Sequence, residues 1–256
     1  MSLAIKAVLL TLLAFHIGAA SARDVHILVV GDQSSANCHA HRYGPVPGVF
    51  VLGVDGQERQ AADPLPWADC EGGSIWIPLA ARLIKQTGVN KVVLLPVAIS
   101  GVKAKDWKEG PAATRLSAAL ALAKAKKIGF DYALWQQGRS DADTAASEYS
   151  EFMRKTIRAT SLIVKVDKWL VAESGTCPDK TAKIINISQK RMGQQFLLNR
   201  LPGASDAGLS SMEQLSDCSF SMQGQERMAQ RWIDAMRSAD ALSRMYKRET
   251  LIEFFK

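Results

Sequence analysis

Beyond His41 this 256-residue chain contains no histidine, and its four cysteines never stand in a C-x-x-C pair. The second absence removes the usual signature of a structural zinc site. The first confines imidazole chemistry, as base or as metal ligand, to the opening of the chain. After the N-terminal segment no apolar run approaches the roughly 18–20 residues that a membrane-spanning helix needs. Internal repeats and low-complexity linkers are also missing. Lysine and arginine outnumber the acids, 32 against 25, for a net charge of +7. These basic residues are spread through segments such as "AKAKKIG" and "SRMYKRET" and form no motif. That is a solvated surface with at most weak attraction to anionic polymers, and it gives no ground for a nucleic-acid partner.

What is there begins with "MSLAIKAVLLTLLAFHIGAASA", one lysine, an apolar stretch and then Ala20-Ser21-Ala22. This is the pattern of a secretory signal peptide. We expect cleavage after Ala22, a secreted or periplasmic location, and a single domain over residues 23–256. Cys38, Cys70, Cys177 and Cys218 are an even set in an oxidising compartment, so they predict two disulfides, with three pairings open.

Strand-like and helix-like segments alternate from there. Strands are read at 25–30, 91–99, 131–138 and 168–174, with a weak fifth at 195–198. Helices are read at 74–88, 111–129, 144–160, 179–195 and 222–247. Ser74 and Gly88 bound the first, and Pro111 and Gly129 the second. The polar stretch from Asp32 to Gly73 is long for a simple connection, which suggests a functional loop with a small hairpin of its own. Alternation of this kind predicts a parallel sheet with helices on both faces. Right-handed crossovers then bring "GDQSSAN", "SGVKAKDW", "QQGRSDAD" and "ESGTCPD" to one edge, where such folds bind ligands.

Four motifs sharpen this. Gly31-Asp32-Gln33-Ser34-Ser35-Ala36-Asn37 is similar to a G-Q-S-N-A-A-N stretch after a first strand. "VAISGVKAKDW" is similar to a glycine loop ending in tryptophan. Trp135-Gln136-Gln137-Gly138-Arg139-Ser140-Asp141 is similar to W-H-Q-G-E-S-D, and "SDCSFSMQGQERMAQRW" to D-G-C-H-F-S followed by G-x-x-x-x-A-x-x-W. With these in order from Asp24 to about Met236, the chain resembles the SGNH (GDSL-like) hydrolases, most closely the sialate O-acetylesterase-like carbohydrate esterases. The resemblance implies a three-layer α/β/α sandwich with a mainly parallel, flavodoxin-like sheet. It also implies serine ester hydrolysis on an acetylated carbohydrate, with no cofactor and no metal.

The same alignment exposes departures. Set without a gap, Gly31 and Asn37 match and the nucleophile position falls on Gln33; a one-residue slip brings Ser34 there but lengthens the turn. The histidine position is Ser219, beside Asp217, the acid expected to orient it. A serine hydroxyl is no base near neutral pH. Arg139 reverses the charge of the family's Glu. Gly101, Gln137 and Asn37 remain as oxyanion or ligand-binding candidates. His39 and His41, spaced i, i+2, are either a replacement base or ligand pair, or exposed loop residues. Trp76, Trp107 and Trp135 either stack on sugar rings or pack beneath the loops. The layout predicts Cys38–Cys70, closing the long excursion, and Cys177–Cys218, tethering the Asp217 loop. Three readings follow. One is a catalytically impaired esterase-fold protein that keeps a glycan-facing pocket for binding or regulation. The second is an active O-acetylesterase using Ser34 with an atypical base, and the third a structural or interaction protein of the cell envelope.

Overall fold

The computed structural model describes residues 23–174 and 183–254. The expected signal segment and Cys177 lie outside the described residues. One sheet runs through the molecule, built from β1 (Asp24–Gly31), β2 (Val49–Leu52), β3 (Glu58–Gln60), β4 (Lys91–Ala98), β5 (Phe130–Gln136), β6 (Val166–Glu173) and β7 (Arg200–Ser205). Its order is β3-β2-β4-β1-β5-β6-β7. Every neighbouring pair is parallel except the β2–β3 hairpin. The helices described are α1 (Trp76–Thr87), α2 (Pro111–Ala125), α3 (Ala146–Ile163), α4 (Lys183–Met192) and α5 (Met222–Phe254).

The central strands read as unbroken apolar runs because both their faces are covered. Successive side chains of β1 point to opposite sides. Val25, Ile27 and Val29 join the core shared with α1 and α5. Leu28 and Val30 join the core shared with α2, α3 and α4. Gly88 ends α1 in the left-handed region at φ 72°, its N–H bonded to the Ile84 carbonyl. The result is the expected three-layer sandwich. Among the described residues no helix is long and apolar enough to cross a membrane.

Two expectations are corrected. Residues 196–198 form a 3₁₀ turn, and the strand lies just beyond, at Arg200–Ser205. Pro202 and Gly203 break its apolar pattern, and only a position at the sheet's edge tolerates them. A Cβ on Gly203 would stand 2.7 Å from the backbone of Val171 and Ala172, so glycine lets β7 lie against β6 where their register shifts. The terminal helix also runs on to Phe254. The excursion after β1 does contain a hairpin, β2–β3, which joins the sheet alongside β4. Cys38 and Cys70 are disulfide-bonded across it with Cα atoms 5.1 Å apart. His39 pairs with Gly73 in an antiparallel bridge.

Candidate functional site

The loops after β1, β4, β5 and β7 meet at the carboxyl edge of the sheet, and a buried carboxylate ties two of them together. Asp32 accepts from the backbone N–H of Ser34 at 3.1 Å and from its hydroxyl at 2.7 Å. It also accepts from the N–H groups of Gly138 at 2.9 Å and Arg139 at 2.8 Å. The 3₁₀ turn Gln33–Ser35 is thereby fastened to the loop after β5. Gly31 permits the approach, since a Cβ there would lie 2.0 Å from the Gln136 carbonyl oxygen.

Within that turn Ser34 faces inward and is fully buried, its hydroxyl committed to Asp32. Ser35 is buried too and donates to the Gln136 carbonyl at 2.8 Å. Gln33 is the residue of the turn that reaches outward, its amide nitrogen 3.5 Å from the Asp217 carbonyl. Gln33 thus faces the loop of Asp217 and Ser219.

In that loop Ser219 donates its hydroxyl to Asp217 at 2.6 Å and its N–H at 2.9 Å. These two bonds hold the Asp217 carboxyl below its ordinary pKa. Arg139 sits behind, its side chain only 8 % exposed. It donates to the Cys218 carbonyl, lies 3.8 Å from the Asp206 carboxylate and stands 5.3 Å over the Phe220 ring. Burial lowers the guanidinium pKa, and the charges of Asp206, Asp32 and Asp217 oppose the shift. Cys218 is itself disulfide-bonded.

The two loop histidines separate. His41 is exposed, its ring edge-on to Tyr43 at 4.7 Å. His39 is 2 % exposed and stacked on Phe220 at 4.6 Å, which corrects the exposed-loop reading of this residue. Its Nδ1 accepts the Phe220 N–H at 3.1 Å, so the other nitrogen carries the proton, and Nε2 lies 3.2 Å from the Ser34 carbonyl. Burial, reinforced by the Arg139 charge, lowers its pKa to about 3. A ring so engaged and so reluctant to ionise joins two loops.

The oxyanion candidates divide likewise. Asn37 spends its carboxamide on Leu65 and Ala68, donating to the Leu65 carbonyl at 2.8 Å and accepting the Leu65 N–H at 2.9 Å. Gln137 donates to the Val102 carbonyl at 2.9 Å and to Asp141 at 2.7 Å, and accepts from Trp107 at 3.1 Å. Gly101 is exposed at φ 80° on the loop after β4. The three tryptophans pack under the loops, all of them buried. Trp76 donates to the Ser35 carbonyl at 2.7 Å and Trp135 to the Tyr149 hydroxyl at 3.0 Å.

Asp32, Gln136 and Gln189 organise the edge but were not singled out in the sequence. Gln136 donates to the Ser34 carbonyl at 3.0 Å and accepts from Trp232 at 2.9 Å. Gln189 donates to the Gln137 carbonyl at 2.7 Å. The available signal was the substitution pattern: Asp32 and Gln136 stand where the motifs carry Gln and His. Among the described residues no group of three or more His, Cys, Asp and Glu is placed to hold a metal ion.

Chemically, the open part of the edge offers an amide at Gln33 and the Asp217 carboxylate, with the buried Ser219 hydroxyl bonded to that carboxylate. That is a hydrogen-bonding surface. Its layout, on a doubly covered parallel sheet, is that of the SGNH hydrolase fold. A family model described as carbohydrate esterase, sialic acid-specific acetylesterase, matches residues 30–238, and the chain belongs to that family. A protein from Arabidopsis thaliana is similar in structure, with a TM-score of 0.63 at 14 % identity over 85 % of this chain and 97 % of that one. So is a family 3 carbohydrate esterase from Clostridium thermocellum, with a TM-score of 0.56 at 13 % identity over 86 % and 100 %. The acetylxylan esterase Axe2 from Geobacillus stearothermophilus follows the same fold, with a TM-score of 0.51 at 12 % identity over 82 % and 93 %. No curated protein matches the sequence.

Proposed function

We propose that this chain is an exported, esterase-fold protein that binds an acetylated carbohydrate at the carboxyl edge of its sheet without hydrolysing it. The observation that carries the reading is Gln33, an amide facing the Asp217–Ser219 pair where a serine would face an aspartate–histidine pair. An amide is neither nucleophile nor base in this setting, and Ser219 cannot relay a proton to Asp217 usefully. Binding needs no proton transfer, and Gln33, Gly101 and Asp217 offer donors and acceptors suited to sugar hydroxyl and acetyl groups. Export is supported by the leader-like residues 1–22 and by the Cys38–Cys70 bridge. The buried hydroxyl of Ser34 weighs against the esterase reading that relies on it.

The test is acetate release from O-acetylated sialic acid and acetylated xylooligosaccharides, run beside calorimetric binding of the same compounds. We expect turnover near background, unchanged by Ser34→Ala, together with binding that Gln33→Ala weakens. Robust turnover abolished by Ser34→Ala would overturn the proposal in favour of an active esterase. Silence in both assays would leave the fold as a scaffold only and overturn it as well.

A further inference from the structure

Far from the carboxyl edge, a cleft of about 680 Å³ opens between the C-terminal half of α3 and the amino ends of β6 and β7. Three arginines line it: Arg154 and Arg158, one turn apart on α3, and Arg200, the first residue of β7. Among the described residues none of the three makes an ion pair. Glu151, the acid one turn before Arg154, is paired with Lys155 at 2.5 Å. Arg154 donates only to the Ser150 carbonyl of its own helix, and Arg200 to the Gln195 amide oxygen at 2.5 Å. Exposed arginines cost little when unpaired, but three converging on one cleft repel each other at close range. The Arg154 charge acts with burial to lower the pKa of Arg200.

The floor of the cleft adds an independent sign. Trp169 is 3 % exposed, and among the described residues its indole Nε1 has no hydrogen-bond partner. Nε of Arg200 is likewise buried and unpartnered. Leaving a buried donor unsatisfied is costly, so two such donors on residues that line one cationic cleft point to an acceptor that belongs there. The rim is apolar on one side, where Leu162 is 77 % and Leu198 61 % exposed. An inorganic ion would leave that side unused.

We propose that this cleft is a binding site for an organic phosphate monoester, its dianionic head held by Arg154, Arg158 and Arg200 over the Trp169 indole and its apolar body lying against Leu162 and Leu198. Three guanidinium groups match a dianion better than a single carboxylate. The site is separate from the carbohydrate edge and does not depend on the function proposed for it.

Hexyl phosphate is the probe, titrated into the full chain by calorimetry, with hexanol and inorganic phosphate as the partial ligands. Binding of hexyl phosphate should exceed that of either partial ligand by roughly tenfold or more, and should fall about as much in the Arg154→Gln/Arg158→Gln double variant. Both replaced side chains are exposed, so that variant keeps its fold. In a spectrum of ¹⁵N-labelled indoles, the Trp169 signal, assigned by Trp169→Phe, should shift on titration. Sedimentation with vesicles containing phosphatidic acid, whose headgroup is a phosphate monoester, separates the possible sources. Retention that needs the same arginines makes the ligand a lipid headgroup, and its absence beside hexyl phosphate binding makes it a free metabolite. No binding of hexyl phosphate, or binding indifferent to the arginine replacements with a static Trp169 signal, would overturn the proposal.

Discussion

The buried His39 makes a quantitative prediction about acid stability. In the folded chain its ring stays neutral down to about pH 3, against an ordinary value of 6.5. The unfolded chain takes up a proton as pH falls through 6.5, while the folded chain resists until about 3. The stability contributed by the neutral ring is thus complete above 6.5 and is lost progressively as the pH falls from there toward 3. Between about pH 7.5 and about pH 4.5 the linkage amounts to roughly 2.6 kcal/mol, a sizeable part of a typical domain's stability. Glutamine at this position can accept the Phe220 N–H and donate to the Ser34 carbonyl without titrating. His39→Gln forfeits the stacking on Phe220 and should be less stable at neutral pH by about 1 kcal/mol. It should nevertheless lose about 2–3 kcal/mol less than the wild type on acidification. Asp217, with its lowered pKa, and Asp141, raised by burial, titrate in both proteins and cancel in the comparison. Urea denaturation of the oxidised protein at the two pH values supplies the numbers. Parallel acid dependence in wild type and variant would refute the account of His39 as a neutral strut and return it to the list of candidate bases.

Three further outcomes are expected. The triple replacement Gln33→Ser, Ser219→His and Arg139→Glu should raise acetyl-ester hydrolysis above the wild type, whereas Gln33→Ser alone should not; a null result from the triple variant, if folded, counts against the assignment of position 33. Removing the Cys38–Cys70 bridge by a double serine replacement should destabilise the protein by about 3–4 kcal/mol in urea denaturation, from the 32-residue separation it closes. Intact-mass measurement of protein recovered from an exporting host should find a chain beginning at Arg23; a chain still carrying Met1 would contradict the leader assignment.

The architecture was legible because it is written in periodicity. The runs at 27–30 and 92–99 are apolar throughout, as strands buried on both faces must be, and the helices between the strands carry their own stops. β7 escaped because an edge strand may contain Pro202 and Gly203, which read as a turn. The site was legible only in part. That Gln33 lies on the turn after the first strand followed from the motif, because the strand ends at Gly31. The fates of Asn37, Gln137 and His39 did not follow, since each is fixed by partners distant in sequence. Leu65 and Ala68 claim Asn37, Val102 and Trp107 claim Gln137, and Phe220 claims His39. The i, i+2 spacing of His39 and His41 suggested a shared direction. The antiparallel bridge to Gly73 and the stacking on Phe220 draw only His39 inward.

Asp32 has a consequence for what this edge can become. Its carboxylate, with the imidazole of His39 and the amide of Gln136, fixes the turn through the backbone and through Ser34, and Gln33 contributes little to that scaffolding. Residue 33 therefore behaves like an empty tool socket: its shape is maintained by the surrounding fittings, whatever is placed in it. Randomising that one codon would vary the chemistry at this edge while keeping the bonds that hold the turn, so new reactivity could be selected here without a search for compensating stability.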